Sequence, residues 1–429
     1  MTPVRTVTSL QDHELASMQV HIADLLQRSP WYKKVFKDLD LSPKHLRTWQ
    51  DIQKLPFTTK EDLALHNERF LSVPRNKVID QVFTSGSTGL PVPFQLSEKD
   101  LDRLANSEAA SLSSTGITSD DVVQITTTLD KRFMAGLAYW LGLRRIGAGI
   151  VRSGPGNTAG QWETIERCGT TTLITVPSFL LRMLEERASH VQDIRSTTLK
   201  RAICIGEPIT DPNGGPNVLS KRIMALSDIA LFGTYASTEM ATACTETESF
   251  GGHVVPNDLI IIEVVDEHDQ PVADGGIGEV IATPLGVEAM PLLRFRTGDI
   301  CSQRFITAEN GSEKRILGPV IGRKGQRLKV KGTTIYPQQI VDAMNSAPGV
   351  RSFVILRELD ENSQDVVRVL LEAPNEALEL VGSLLSDTLR VRPLLEIADR
   401  KTIEKLRNDP RNRKPTPFVD NSQTKTVTK

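Results

Sequence analysis

Apolar and polar positions alternate along this chain in two distinct rhythms. Between Glu14 and Arg28, Leu15, Met18, Ile22 and Leu25 recur at helical spacing, and Ser29-Pro30 is expected to end that helix. From about Ile79 to Ala282, short β-branched runs alternate with helical stretches. Asp121–Thr127, Thr172–Val176, Arg201–Gly206 and Ile229–Tyr235 read as buried strands. Pro177 opens the helix PSFLLRMLEERA directly after one of them, where its missing N–H costs nothing. This alternation predicts βαβ units, a largely parallel sheet and an α/β body.

The rhythm then changes. Leu259–Asp266 and Glu279–Thr283 flank the turn-rich DEHDQPVADGG and predict a hairpin-like β subdomain. Beyond Gly322 the pattern is a short α+β unit: strands Ser352–Leu356 and Val366–Leu371, helix Glu376–Arg390, then strand Leu394–Ala398. The expected organisation is a large α/β amino-terminal domain, residues 1–321, and a small mobile α+β cap, residues 322–429. A cleft between the two is the natural place for a site that opens and closes.

Composition narrows the function. At 429 residues the chain exceeds one ordinary core, which supports more than one domain. Its 51 basic and 53 acidic residues leave a net charge of −2, without the basic excess of a nucleic-acid binder. No apolar run approaches the roughly 20 residues that span a bilayer, and the amino terminus shows no apolar h-region. Cys168, Cys204, Cys244 and Cys301 are scattered, which fits reduced thiols in the cytoplasm rather than a disulfide framework.

The most informative stretch is Phe83-Thr-Ser-Gly-Ser-Thr-Gly89. Its two glycines let the backbone approach a ligand closely, and its N–H groups and hydroxyls can donate to several phosphate oxygens at once. A plain Ser/Thr/Gly surface loop is the competing reading. GxxxxGK[ST], GxGxxG, GxSxG and HExxH are all absent, which argues against Walker-type, dinucleotide-binding, α/β-hydrolase and zinc-protease sites.

Four further segments follow in order: Cys204-Ile-Gly-Glu-Pro208, Thr234-Tyr-Ala-Ser-Thr-Glu239, Leu293-Arg-Phe-Arg-Thr-Gly-Asp299, and Ile321-Gly-Arg-Lys324 with Lys331-Gly and Ile335-Tyr-Pro337. With the Ser/Thr/Gly loop they resemble the motifs of the adenylate-forming superfamily of acyl-CoA synthetases, adenylation domains and luciferases. Trp31-Tyr-Lys-Lys-Val-Phe36 and Leu55-Pro-Phe-Thr-Thr-Lys-Glu-Asp-Leu63 are similar to the amino-terminal segments of its phenylacetate–CoA ligase branch.

The resemblance implies an ATP-dependent ligase that forms an acyl-AMP, with CoA as the second substrate and an aryl or arylacetic acid as the first. Thr84, Ser85, Gly86, Ser87, Thr88 and Gly89 would cradle phosphate. Gly206, Glu207 and Pro208 would line the adenine pocket beside Tyr235, Ala236 and Ser237. Thr238 would donate to the α-phosphate. Glu239 would hold Mg2+, a hard cation that prefers carboxylate oxygen. Asp299 can accept from both ribose hydroxyls, and Arg323 matches a nucleotide-contacting arginine. Lys414, in Arg411-Asn-Arg-Lys, matches the lysine that would bridge carboxylate and phosphate, with Lys425 the next candidate. Phe133, Met134, Gly136 and Met240 are candidates for the acyl pocket, or equally plain core residues.

Departures from the family pattern accompany the matches. Leu90-Pro91 follows the loop where Lys-Pro is usual, so one phosphate-side cation is missing. Gly325 stands at the expected hinge pivot. Some members of the branch carry a structural zinc near these motifs. Cys244, His253 and Cys301 fall in the right neighbourhood, but a closed tetrahedral site takes four ligands; the alternative is two buried thiols and a loop histidine. Two other readings remain open: an adenylating ligase with an amine or carrier-protein acceptor, and a nucleotide-binding protein without ligase activity. The oligomeric state is open, a homodimer being one candidate.

Overall fold

The computed structural model describes residues 9–84, 91–191, 193–308, 311–330, 333–360, 364–408 and 416–422. Its first helix, Leu10–Arg28, begins one turn earlier than the apolar spacing predicts. Ser9 caps it by accepting from the Asp12 N–H, and the polar residues after Leu10 hide that turn from a hydrophobicity pattern. Pro30 does more than stop this helix. It takes the first position of the next, Pro30–Asp38, where its fixed φ suits a helix start.

The predicted parallel strands are present, shortened at their ends. Gly149–Arg152, Val122–Ile125, Thr172–Thr175, Arg201–Ile205 and Ala230–Ser237 lie side by side in that order, every neighbouring pair parallel. Thr172–Thr175 is buried at every residue, as expected of a parallel strand with helices on both faces. At Ser237 the chain reverses into Thr242–Thr245, and from there the sheet continues antiparallel. Its next members are His253–Val254, Glu313–Leu317, Phe295–Thr307, Ile277–Pro284 and Ile260–Val265. The last two are the predicted hairpin, with Ile262 opposite Ala282.

Gly322–Arg323 still pairs with Ile300 and Asp299 of the large sheet. Only after it does the chain enter a second apolar cluster, which includes Leu328, Ile340, Val369, Leu385 and Phe418. There Ser352–Leu359 and Asp365–Glu372 pair antiparallel, flanked by Phe418–Asp420 and Leu394–Ile397. Among the described residues no helix is long and apolar enough to cross a membrane.

The amino-terminal helices are fastened to the large sheet by a buried cation. Arg294 is 1% exposed; its Nε and Nη2 donate to the Glu263 carboxylate, each at 2.9 Å. Its Nη1 donates to the carbonyls of Ile52, Gln53 and Leu55. Removing one partner of a buried ion pair leaves the other charged and unpaired. Arg294→Ala is therefore expected to cost about 3–5 kcal/mol, read as a lowered thermal midpoint. Hydrogen exchange at the Thr58 and Arg296 amides, which the clamp holds, is expected to accelerate; unchanged protection there would refute the clamp.

Candidate active site

Three chain segments meet at the carboxyl ends of the parallel strands, the usual location of ligand sites in open α/β sheets. The first comes from adjacent strands. Ile205, the last residue of its strand, pairs with Thr234, so Gly206–Pro208 leaves the sheet beside Tyr235–Glu239. Gly206 has φ +77, a left-handed turn that glycine adopts without strain. Glu207 accepts from Ser178 N and Oγ, both at 2.9 Å, and the Pro208 carbonyl accepts from Asn217 Nδ2 at 2.7 Å. Ala236 is exposed, and Ser237 and Thr238 are half-buried. The Thr238–Ala241 turn carries Glu239 inward, where it is 6% exposed. Burial raises its carboxyl above the usual range, and Lys60 pulls in the opposite direction.

The second segment is Phe295–Thr307. Its register slips against Ile277–Pro284 between Glu279 and Ile281, and Gly298 at φ +75 occupies the irregularity. Thr297 Oγ1 donates to the Val280 carbonyl at 2.8 Å and accepts from Asp299 N at 3.1 Å. Bulges of this kind re-aim side chains next to sites. Here the bulge turns Asp299 toward Tyr235, whose hydroxyl donates to Oδ2 at 3.0 Å, while Arg323 Nε donates to Oδ1 at 3.0 Å. Tyr235 is buried in an apolar cluster with Met240 and Cys244, which pushes its hydroxyl pKa well up.

The third segment carries a residue to which sequence reasoning gave no role. Thr58 N donates to the Arg294 carbonyl at 3.0 Å and Arg296 N to the Thr58 carbonyl at 2.9 Å, an isolated bridge to the Asp299 strand. Thr59 then caps the helix Lys60–Leu65 in a capping box with Asp62. Lys60 thereby stands on the first helical position, largely buried, with Glu239, Arg323 and Asp299 as the charges that act on it. Burial lowers its pKa; the two carboxylates oppose that and Arg323 adds to it. The signal was the Thr-Lys-Glu-Asp capping box. What it faces depends on long-range pairing that no local pattern encodes.

The remaining expectations divide. Thr84 is buried; its N donates to the Val92 carbonyl at 2.9 Å and its Oγ1 accepts from Val92 N at 3.1 Å, closing the neck of the hairpin formed by Val78–Phe83 and Pro93–Ser97. Ser85, Gly86, Ser87, Thr88 and Gly89 lie outside the described residues, as does Lys414. Phe133 caps Met134–Ile146 half-buried. Gly136 is pressed against the Thr128 carbonyl, where an added Cβ would sit 2.3 Å away. Met134 belongs to the amino-terminal apolar cluster and Met240, fully buried, to the one under Tyr235. Met240 is a core residue. Gly325 occupies a single exposed 3-10 turn, Lys324–Gln326, between the large sheet and the second cluster.

The three candidate zinc ligands are placed as follows. Cys244 and Cys301 are fully buried in the apolar cluster of Val255, Ile260 and Ile262. Burial raises the Cys244 thiol to about 12. The His253 Nδ1 lies 3.3 Å from the Gly318 carbonyl. Among the described residues no three His, Cys, Asp or Glu side chains form a group able to hold a metal.

Fold and site together define an α/β protein with a cluster of charged side chains at the carboxyl ends of its parallel strands. The chain belongs to the AMP-binding enzyme family, which matches residues 17–287. It is 28% identical to a phenylacetate-coenzyme A ligase of Aromatoleum evansii, over 85% of this chain and 82% of that protein. It is equally 28% identical to the phenylacetate-coenzyme A ligase of Thermus thermophilus, over 90% and 86%. A 2-hydroxyisobutyryl-CoA ligase solved in its postadenylation state with 2-HIB-AMP superposes at a TM-score of 0.82, covering 99% of this chain and 94% of that one at 20% identity. In its thioesterification state, with 2-HIB-AMP and CoA, the same ligase gives 0.68 over 96% and 90%, at 21% identity. The expected superfamily, branch and α/β fold stand.

Lys60→Met tests the third segment. It is expected to weaken MgATP binding roughly tenfold or more, the scale of a lost charge-assisted contact, with little change in thermal midpoint. Unchanged affinity by titration calorimetry would remove Lys60 from the site. Elemental analysis of protein purified without added metal is expected to find no stoichiometric zinc; one zinc held per chain would refute this.

Proposed function

We propose that the protein is an AMP-forming acid–CoA ligase acting on an aromatic or arylacetic acid. The observation that carries this reading is the convergence of two carboxylates, Glu239 and Asp299, with two cations, Lys60 and Arg323, beside Tyr235. Adenylation brings an anionic acid to a polyanion, so cations and donors must be fixed in place before the reactants arrive. In the first step a carboxylate oxygen attacks the α-phosphorus and the bond to pyrophosphate breaks. In the second the CoA sulfur attacks the acyl carbon and AMP leaves.

Asp299, held by Tyr235 and Arg323, would accept from the ribose hydroxyls, and Cys204–Pro208 would line the adenine. Thr238 and the Thr84–Gly89 loop would donate to phosphate, with Lys60 as a further cation there. Glu239 is the acidic oxygen donor of this cluster and would hold a magnesium ion, which keeps its other positions for water and phosphate. When bound, magnesium would neutralise charge developing on the phosphates. Lys414 would supply the ammonium of the first step. Residues 1–321 and 322–429 are read as a body and a cap, and the higher TM-score against the postadenylation state supports a cap seated for the first half-reaction. The four free cysteines suit a cytoplasmic setting.

The test is acid-dependent ATP–pyrophosphate exchange across a panel of carboxylic acids, followed by offering CoA, amines and carrier protein as acceptors. Exchange with arylacetic acids and a CoA thioester product are expected; bound nucleotide without exchange for any acid would overturn the reading. Glu239→Gln and Asp299→Ala are each expected to lower exchange by roughly 10²-fold or more. Lys414→Ala is expected to nearly abolish exchange while still converting synthetic acyl-AMP and CoA to thioester. Undiminished exchange in Lys414→Ala would place the ammonium elsewhere, at Lys425 first.

A further inference from the structure

Glu239 is carried on a tight reversal of the chain. Ser237 pairs with Thr242 where the strands Ala230–Ser237 and Thr242–Thr245 meet, so Thr238, Glu239, Met240 and Ala241 form the whole loop between them. The Ala241 N–H donates to the Ser237 and Thr238 carbonyls, at 3.3 and 3.2 Å, and the Met240 N–H to Ser237 Oγ at 3.2 Å. Ser237 also hydrogen-bonds the Glu239 carboxylate. The loop ends in left-handed backbone: Ala241 has φ +48 and is 4% exposed. Glycine is the ordinary occupant of such a position, because a Cβ crowds the following carbonyl. An alanine persists there only when its surroundings hold it.

Arg103, on the helix Glu98–Ser114, does the holding. Its Nη1 donates to the Ala241 carbonyl at 2.5 Å and its Nη2 to Thr242 Oγ1 at 2.9 Å, where the loop rejoins the strand. The same guanidinium is anchored elsewhere, with Nε on the Leu285 carbonyl at 2.6 Å and Nη2 on the Leu259 carbonyl at 2.7 Å. Leu259 and Leu285 stand at the open end of the Ile260–Val265 and Ile277–Pro284 hairpin, joined by a backbone hydrogen bond of 2.8 Å. One side chain thus ties a helix and a hairpin to the loop of Glu239. All four acceptors are neutral; burial lowers the guanidinium pKa to about 10, and Asp100 opposes this. Arg103 is used here for its fixed, planar set of donors rather than for an opposite charge.

We propose that Arg103 is a positioning residue for the metal site: by holding Ala241 in left-handed backbone it fixes the Glu239 carboxylate and so sets the affinity for magnesium nucleotide. The inference rests on the reading of Glu239 as the magnesium ligand. Arg103 acts through the loop backbone and not on the nucleotide. Partners that orient a metal ligand commonly govern metal affinity in this way.

The experiment measures, by titration calorimetry, the affinity for ATP with magnesium and for ATP in EDTA. Glu239→Gln is the reference and is expected to lose most of the difference between the two. Arg103→Met is expected to weaken MgATP binding roughly tenfold or more and to leave metal-free ATP little changed. Adding Ala241→Gly to Arg103→Met is expected to recover most of that loss, since glycine adopts the left-handed turn unaided. A merely structural Arg103 would lower the thermal midpoint and weaken both forms of ATP alike, with no recovery from Ala241→Gly; that result overturns the proposal. Unchanged MgATP affinity in Arg103→Met overturns it too. Should Arg103→Met not fold, Arg103→Lys carries the same test: its ammonium lacks the planar fork, so wild-type MgATP affinity in that variant refutes the geometric role. A magnesium dependence that Glu239→Gln leaves intact defeats the assignment of Glu239 to the metal instead.

Discussion

The segment that carries Lys60 into the site is held by the way Arg294 is buried. Its guanidinium satisfies a carboxylate on one strand and three carbonyls at the end of the amino-terminal helices. A planar fork with five donors can do this; a lysine ammonium cannot. Arg294 itself has φ +48, an unfavourable region for a side chain with a Cβ, and the surrounding bonds hold it there. Phe57 lies against both the Arg294 and Arg296 guanidinium groups, at 4.3 and 4.1 Å from its ring centre. One residue on, Thr58 accepts the bridge that carries Lys60 into the site. A second arginine works in the same way: Arg315 joins Glu14 of the first helix at 3.1 Å to the Glu313–Leu317 strand. The amino-terminal helices are thus wedged onto the sheet by two buried ion pairs, and one of them holds the segment that carries Lys60.

The elements whose patterns are local were legible in the sequence. The parallel strands announced themselves as unbroken β-branched runs, because burial on both faces removes the polar alternation. The hairpin of Ile260–Val265 and Ile277–Pro284 was marked by the turn residues between. What was not legible depends on distance along the chain. Glu14 and Arg315 are separated by 301 residues, and each alone reads as a solvated surface charge. Lys60 sat inside a recognised segment, yet its neighbours Glu239, Asp299 and Arg323 come from two other parts of the chain. The bulge at Gly298 was equally silent, since a glycine in a strand does not reveal which neighbour it re-aims. Met240 shows the converse: adjacent to a motif residue, it points into the core because the Thr238–Ala241 turn sends successive side chains to different sides.

The charge arrangement explains how the site tolerates the leucine that follows its phosphate loop. Two carboxylates held near one another repel, and each pushes the other toward protonation. Here Asp299 is bonded directly to Arg323 and Tyr235, and Lys60 opposes the effect of burial on Glu239. Lys60 approaches from the amino-terminal helices, on a different segment from the Ser/Thr/Gly loop, so the loss of a lysine at position 90 need not leave the site short of cations. Lys60 stands on a capped helix pinned by a backbone bridge to the Asp299 strand. A cation fixed before the nucleotide arrives loses less freedom on binding and needs less reorganisation when charge develops. On the proposed reading, Lys60 and the amino-terminal helices that Arg294 secures would form part of the nucleotide site.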